Sequence, residues 1–144
     1  MATIEFSSKT PAYNEFSNFY PSPIVMGVVE WPTVEHYFQA QKFPGDYHLQ
    51  TAILSAQTAA SAKKLGRTRS PHFRQDWEEV KEMIMLEALQ AKFEQNPDLG
   101  ALLKSTGAAL LKEKAAWDNY WGTGKTGNGK NRMGELLMIV RQGL

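Results

Sequence analysis

A polar stripe flanked by aromatic residues is the part of the sequence best suited to chemistry. Glu35, Gln39 and Lys42 are four and three residues apart in the segment from Trp31 to Phe43, so on a helix they share one face. With a rise of about 1.5 Å per residue, Glu35 and Lys42 would lie roughly 10 Å apart along the helix axis. Both side chains are long enough to converge on one small ligand group, where a carboxylate and an amine can supply acid–base or nucleophilic catalysis.

The same spacing also fits an ordinary helix surface, so both interpretations stay open at this point. Glu and Lys on a helix usually form a solvated face. A polar stripe sunk among aromatic side chains is more typical of a cleft. The aromatic residues around this stripe are Trp31, Tyr37, Phe38 and Phe43.

The residues around the stripe predict a short, mostly buried helix that follows a strand. Pro32 suits a helix start because it lacks the N–H that the first turn leaves unpaired. Thr33 can cap the free amides that follow. Val34, Tyr37 and Phe38 recur at helical spacing, so their face is expected to enter a core.

Composition and charge limit the class of protein. The chain has 144 residues, 42% of them hydrophobic and 22% charged, which is typical of one soluble globular domain, here predicted to cover residues 1–144. The formal net charge of +1 provides no strong overall field for nucleic acid. Cysteine is absent, which excludes disulfides, thiol chemistry and zinc sites with thiolate ligands. No signal peptide or membrane-length apolar run is found, so a cytoplasmic location without membrane contact is expected.

Hydrophobic patterning predicts several helices and a few short strands. The predicted strands are 4–6, a hairpin over 24–31 with Gly27 near its turn, and 108–114. The predicted helices after the polar stripe are 47–56, 58–65 with Gly66 at its C′ position, 75–95, a helix from the Asn96 cap to Gly107, and 133–142 with Asn131 as cap.

Two of these helices are expected to bury broad apolar faces. The helix over 75–95 is the expected scaffold, with an apolar stripe of Trp77, Val80, Ile84, Ala88 and Ala91 that is widened by Met83, Leu86 and Leu89. The last helix is expected to bury Leu136, Leu137, Ile139 and Val140.

A basic loop precedes the scaffold helix. Arg67, Arg69 and Arg74 lie within eight residues of irregular sequence. Guanidinium groups can grip a phosphate through paired N–H donors. The alternative is a set of exposed charges, and the absence of lysine from the segment slightly favours phosphate contact.

The glycine-rich segment from Gly122 to Gly129 contains two phosphate-binding motifs by letters alone. The dinucleotide pattern over 122–127 lacks a preceding apolar strand and a later acidic ribose partner. The phosphate-loop pattern over 124–130 meets Asn131 where Ser or Thr is required. Both families are therefore rejected. Inward-turned N–H groups at the start of a helix would still suit an anion, and a flexible surface turn is the alternative.

Two further segments combine aromatic and polar residues. In 15–21, Phe side chains alternate with Ser and Asn, which suits either a stacking and hydrogen-bonding loop or a loop that plugs the core. Asp118 lies next to Tyr120 and Trp121, and a carboxylate beside aromatic rings suits acid–base work.

Taken together, these segments resemble the NADAR family of YbiA-like proteins. The matching residues are 16–19, 32–43, Gly66, Arg67, Arg69, Trp77 and 118–134, in the family's order. The resemblance implies a mainly helical α+β domain with a few short strands. The chain departs from the family pattern at Asn119 and Thr123, positions where substrate choice could be tuned.

The resemblance implies N-glycosidase activity without a cofactor. Such enzymes hydrolyse the C1′–N bond of phosphoribosylamino-pyrimidines, early intermediates of riboflavin synthesis, and release ribose 5-phosphate. Relatives remove ADP-ribose from guanine, so ADP-ribosylated guanine in nucleic acid or nucleotides is an alternative substrate. A nucleotide-binding module without turnover is a third possibility. No metal is expected, because His36, His48 and His72 lack ligand spacing. None of these alternatives specifies an oligomeric state.

The resemblance also implies which residues act. Glu35, Lys42 and Asp118 are the predicted catalytic residues. Glu35 would stabilise positive charge on the sugar and orient water, and Asp118 would exchange a proton with the base or a sugar hydroxyl. Lys42 matches the lysine associated with a Schiff-base route, and both routes stay open. The predicted substrate-binding residues are Asn18, Phe19, Arg67, Arg69, Trp77, Trp121, Gly122, Gly124, Lys130 and Asn131.

Overall fold

The structure, a computed structural model, describes residues 2–144 of the chain. The α-helices are α1 (Val34–Ala40), α2 (Tyr47–Leu54), α3 (Ala59–Leu65), α4 (Trp77–Gln95), α5 (Pro97–Ser105) and α6 (Arg132–Gln142). The strands are β1 (Thr3–Phe6), β2 (Ile24–Met26), β3 (Val29–Trp31) and β4 (Leu110–Glu113). A 3₁₀ turn covers Asn14–Phe16. The predicted mainly helical α+β class is therefore confirmed.

The chain divides into two compact units, one formed by Asn18–Gln95 and the other by the segment up to Ser17 together with Asn96–Leu144. In the first unit, β2 and β3 form the predicted antiparallel hairpin, in which Ile24 pairs with Trp31. Gly27 has a φ of 65° at its turn, a conformation that glycine adopts without strain. Helix α1 contacts α2, α3 and α4, so it is the central element of this unit.

Helix α1 begins as its sequence predicts. The hydroxyl oxygen of Thr33 accepts a hydrogen bond from the backbone N–H of His36, which satisfies one of the unpaired amides of the first turn. Val34 is fully buried and Phe38 is 6% exposed, whereas Tyr37 is only half-buried. Burial on nearly all sides makes α1 a rigid platform for its polar residues.

Helix α4 buries a face that is shifted from the predicted stripe. Ile84, Ala88 and Leu89 are buried as expected, but Met83 is 64% exposed and Met85 takes its place in the core. Two residues correspond to about 200° of helical rotation, so Met83 and Met85 cannot share a face.

The second unit is built around a parallel strand pair. β1 pairs with β4 from Thr3 opposite Leu110 to Phe6 opposite Glu113, and α6 packs against β4. Helix α6 buries Leu136, Leu137 and Val140 as predicted. Ile139 is 47% exposed, which corrects its predicted burial.

Asn131 precedes α6, but its side chain does not cap the helix as predicted. Its backbone has a φ of 52°, a left-handed conformation that Asn tolerates better than most residues. Its side-chain oxygen accepts a hydrogen bond from the N–H of Glu113, and its amide nitrogen donates to the carbonyl of Leu111, both at 2.9 Å. Asn131 therefore fixes the start of α6 to β4.

Candidate active site

The carboxylate of Glu35 is buried in the first turn of α1. Glu35 is 7% exposed and Gln39 is 5% exposed. The amide nitrogen of Gln39 donates a hydrogen bond of 2.6 Å to Oε2 of Glu35. The backbone N–H of Glu35 donates to the carbonyl of Asn18, which attaches the 15–21 loop to this turn. These two positions of the polar stripe are therefore not a solvated helix surface.

Gly66 lies against the far side of Gln39. It directly follows the last residue of α3, so the predicted end of this helix is confirmed, and its φ of −64° lies within the ordinary helical region. A Cβ atom at this position would overlap Oε1 of Gln39. Gln39 was predicted on the same helix face as Glu35 without a role of its own, and its spacing of four residues from Glu35 is the signal in the sequence for this contact.

Lys42 follows α1 rather than continuing it. The helix ends at Ala40, and the N–H of Lys42 bonds to the carbonyl of Gln39 in a tighter turn, so the helical distance estimate does not apply. The ammonium nitrogen of Lys42 lies 5.8 Å from the centroid of the Trp77 ring. This contact is a cation–π interaction between a half-buried lysine and an aromatic face.

The pKa of Lys42 is lowered from its ordinary value. Burial is the largest cause, because removal from water disfavours the charged amine. The carboxylate of Glu35 opposes this shift, whereas the positive charges of Arg67 and Lys63 add to it. Glu78 makes a smaller contribution that raises the pKa. Lys42 is thus neutral in a larger fraction of molecules than an ordinary surface lysine.

Trp77 is both a core residue and a wall of this site. It is the first residue of α4 and is 7% exposed. Its ring lies 4.9 Å from that of Phe38, measured between centroids. Trp77 was predicted both in the apolar stripe of the scaffold helix and as a substrate-binding residue, and its ring contacts both the core residue Phe38 and the amine of Lys42.

A second lysine–aromatic pair lies in the same unit. The ammonium nitrogen of Lys63 is 5.9 Å from the centroid of the Phe19 ring. Neighbouring Asn18 is buried and donates through its amide nitrogen to Sδ of Met85 at 3.4 Å. Lys63 was not among the predicted site residues, because the sequence around it contains no recognisable motif.

The basic loop does not present three equivalent arginines. Nε of Arg74 donates to Oδ1 of Asp76 at 2.8 Å, and a terminal nitrogen of the same guanidinium donates to Oδ2 at 3.1 Å. This paired contact engages two of the five N–H donors of Arg74, and phosphate contact by the loop stays a prediction. Arg67 and Arg69 are exposed, and Arg67 acts electrostatically on Lys42.

In the other unit, Asp118 organises the loop that follows β4. Its Oδ1 atom accepts hydrogen bonds from the N–H groups of Tyr120 (2.9 Å) and Trp121 (2.8 Å). This is the geometry by which Asp residues stabilise turns. A catalytic role for Asp118 stays a prediction.

Backbone hydrogen bonds join the residues on the two sides of the glycine-rich segment. The N–H groups of residues 129–133 each donate to a carbonyl of residues 119–123 at 2.7 to 3.0 Å. These five donors therefore do not form the predicted inward-facing anion cradle. A Cβ at Gly122 would come within 2.9 Å of Ala115, and one at Gly124 would overlap the side chain of Asn119. Close packing therefore disfavours a side chain at both positions, and at Gly124 the φ of 71° disfavours it as well.

Polar side chains remain in this segment beside the bonded backbone. Lys130 is exposed, and its ammonium nitrogen lies 5.4 Å from the centroid of the Tyr120 ring. Thr123 is buried, and its N–H donates to the carbonyl of Glu113. Substrate contacts by Gly122, Gly124, Lys130, Trp121 and Asn131 stay predictions.

Neither a metal cluster nor a membrane span is found in residues 2–144. No group of three or more His, Asp or Glu side chains in this range is arranged to hold a metal ion. No helix in the same range is both long enough and apolar enough to cross a bilayer.

Known proteins resemble this chain over almost its whole length. The model of the NADAR domain family matches residues 5–144. N-glycosidase YbiA of Escherichia coli (strain K12) is 48% identical over 141 residues, which cover 98% of this chain and 88% of that protein. A riboflavin biosynthesis protein of Vibrio vulnificus (strain YJ016) is 41% identical over 128 residues, which cover 89% of this chain and 35% of that protein.

A solved structure gives the same result at the level of the fold. The NMR structure of the Escherichia coli protein YbiA matches with a TM-score of 0.88 and 46% identity, covering 99% of this chain and 84% of that one. Identity at this level over nearly complete chains reflects common ancestry as well as a common fold. The chain therefore belongs to the NADAR domain family.

Proposed function

We propose that this protein is an N-glycosidase that hydrolyses the C1′–N bond of phosphoribosylamino-pyrimidines and releases ribose 5-phosphate. Relatives named as N-glycosidases and as riboflavin biosynthesis proteins support this enzyme class and this family of substrates. The observation that carries the proposal is the buried carboxylate of Glu35. It interacts electrostatically with Lys42, whose pKa is lowered and whose ammonium lies over the ring of Trp77.

Cleavage of a glycosidic bond creates positive charge on the sugar, and this site can stabilise it. The transition state resembles an oxocarbenium ion, so a nearby carboxylate lowers its energy. In the direct route, Glu35 stabilises this charge and orients a water molecule. The base leaves with the bonding electron pair and takes up a proton, while water adds to C1′.

Lys42 offers a second route through a covalent intermediate. Its neutral amine attacks C1′, and the base leaves with the bonding electron pair and takes up one amine proton. The ring oxygen takes up the second amine proton as the sugar ring opens, which gives a neutral imine. Water then adds to C1′, which restores the lysine and releases the sugar aldehyde. The lowered pKa of Lys42 favours this route, because only the neutral amine is a nucleophile. A reduced adduct on Lys42 after borohydride treatment with substrate distinguishes the imine route from the direct route.

The remaining polar and aromatic groups suit the other parts of the substrate. Trp77 and Phe19 present rings on which a base can stack. Lys63 and Arg67 supply positive charge next to Lys42, where a sugar phosphate would be attracted. Arg69 is exposed in the same loop and is the third candidate for phosphate contact.

The function is tested by substituting Glu35 with its neutral isostere. Glu35→Gln is expected to reduce kcat/KM for a phosphoribosylamino-pyrimidine by about 10²- to 10⁴-fold, because the carboxylate charge is lost while the shape is kept. Release of ribose 5-phosphate and of free pyrimidine is followed by chromatography. Glu30→Gln, at an exposed position of β3, is the matched control and should keep normal activity.

Two results would contradict this proposal. One is equal turnover by Glu35→Gln and the unsubstituted protein. The other is faster cleavage of ADP-ribosylated guanosine in a parallel assay, which would replace the pyrimidine substrate by the alternative one.

The charges around Lys42 make a signed prediction for its titration. Lys63→Met should raise the pKa of Lys42, because a neighbouring positive charge is removed. Glu35→Gln should lower the pKa of Lys42 further, because the Glu35 carboxylate opposes the downward shift. Glu78 opposes it too, but by a smaller amount. The midpoint is measured from the pH dependence of Lys42 acetylation by mass spectrometry. Lys64→Met, at an exposed neighbouring position, is the control, and shifts of the same sign in both test variants would refute the charge assignment.

The role of Asp118 is tested by a substitution that keeps its turn. Asp118→Asn retains Oδ1 as an acceptor for the two backbone N–H groups, so the melting temperature should change little. A proton-transfer role predicts that this variant loses about 10²-fold in kcat. A purely structural role predicts normal kcat in Asp118→Asn and a lowered melting temperature in Asp118→Ala.

A further inference from the structure

The contact among Glu35, Gln39 and Gly66 points to a role for two residues outside the predicted site. We infer that Gln39 is a positioning residue that holds the Glu35 carboxylate for the N-glycosidase reaction. We infer equally that Gly66 is glycine because any side chain there would displace Gln39. The inference rests on the proposed function, since the role of Glu35 in that reaction is what Gln39 serves.

The first observation is the hydrogen bond itself. Nε2 of Gln39 donates to Oε2 of Glu35 at 2.6 Å, and both residues are more than nine-tenths buried. An amide nitrogen can only donate and an ionised carboxylate can only accept, so the pair has one permitted orientation. Hydrogen bonds to an ionised group are shorter and stronger than those between neutral groups. Gln39 therefore stabilises the charged carboxylate in one rotamer.

The second observation is the position of Gly66 behind the amide. Its φ of −64° is accessible to every residue, so the backbone does not explain the glycine. A Cβ at this position would overlap Oε1 of Gln39 and lie 2.6 Å from its Cδ. Oε1 is buried and has no hydrogen-bond partner among residues 2–144. The far end of the amide is thus held by packing against the Gly66 backbone.

A neutral donor suits the chemistry better than a cation would. An arginine or lysine in contact with Glu35 would offset its charge, and less of that charge would be available to a positive transition state. Glutamine orients the carboxylate and leaves its net charge unchanged. This difference explains why an amide is useful at a position one helical turn from the carboxylate.

The catalytic part of the inference is tested by Gln39→Met, which keeps the length of the side chain and removes the donor. The kcat value is expected to fall about tenfold or more, because the carboxylate is no longer held in place. KM should stay within about threefold, because Gln39 acts through Glu35. The acid limb of the pH–rate profile should move to higher pH, because the ionised carboxylate loses a donor. Gln41→Met, two residues further along, is the matched control and should behave normally.

The packing part is tested by stability, which needs no activity. Gly66→Ala alone is expected to lower the melting temperature by about 5 °C or more. In a Gln39→Ala background the same change should have little effect, because the clashing atoms are gone. Gly143→Ala is the control, since its φ is −88° and the nearest atom to an added Cβ is 3.5 Å away.

Each part has its own contradicting outcome. A normal kcat and an unmoved pH profile in Gln39→Met, with an active unsubstituted protein, would overturn the positioning role and leave the proposed function intact. Additive effects of Gly66→Ala and Gln39→Ala would overturn the explanation for the glycine. An inactive unsubstituted protein would instead contradict the proposed function. In that case, absence of coupling between Glu35→Gln and Gln39→Met in the free energy of unfolding would still overturn the Gln39 assignment.

Discussion

The rest of the candidate site depends on the burial of one carboxyl group, that of Glu35. Transfer of an isolated ionised carboxylate from water into a protein interior is very costly, so such groups need hydrogen-bond donors. Glu35 obtains one from the side chain of Gln39, at 2.6 Å. Because that donor approaches closely only if Gly66 has no side chain, three positions must be compatible at once. A change at any of them is therefore expected to alter the carboxylate.

Partial burial also affects the amine of Lys42, on which this carboxylate acts electrostatically. Charges interact more strongly where water is partly excluded. Lys42 lies in such a place, with its ammonium near the face of Trp77 and with Glu35, Lys63 and Arg67 acting on it. Burial and like charges favour the neutral amine, whereas the carboxylate favours the charged one. The net result is a lysine that can change its protonation state more easily than a surface lysine.

Local signals in the sequence predicted a large part of the fold. Pro32 and Thr33 predicted the start of α1 correctly, because helix initiation and capping depend only on the next few residues. The hairpin around Gly27 was predicted for the same reason. The class and the family followed from motifs that are short and ordered along the chain.

The errors arose where distant residues decide. The exposure of Met83 and of Ile139 depends on which helix face meets a neighbour, and the apolar pattern alone was too broad to show this. Gly66 ends α3 as predicted, but its contact with Gln39 joins residues that are far apart in the chain and leaves no local signal.

The charge state of Glu35 is the point on which the account can be tested most directly. The carboxyl carbon of Glu35 can be observed by NMR in protein labelled with ¹³C at glutamate side chains and assigned with the Glu35→Gln variant. The chemical shift of an ionised carboxylate is expected at neutral pH in the free protein. The shift of a protonated carboxyl group at neutral pH would contradict this expectation, because a neutral acid neither stabilises a cationic sugar nor requires the Gln39 donor.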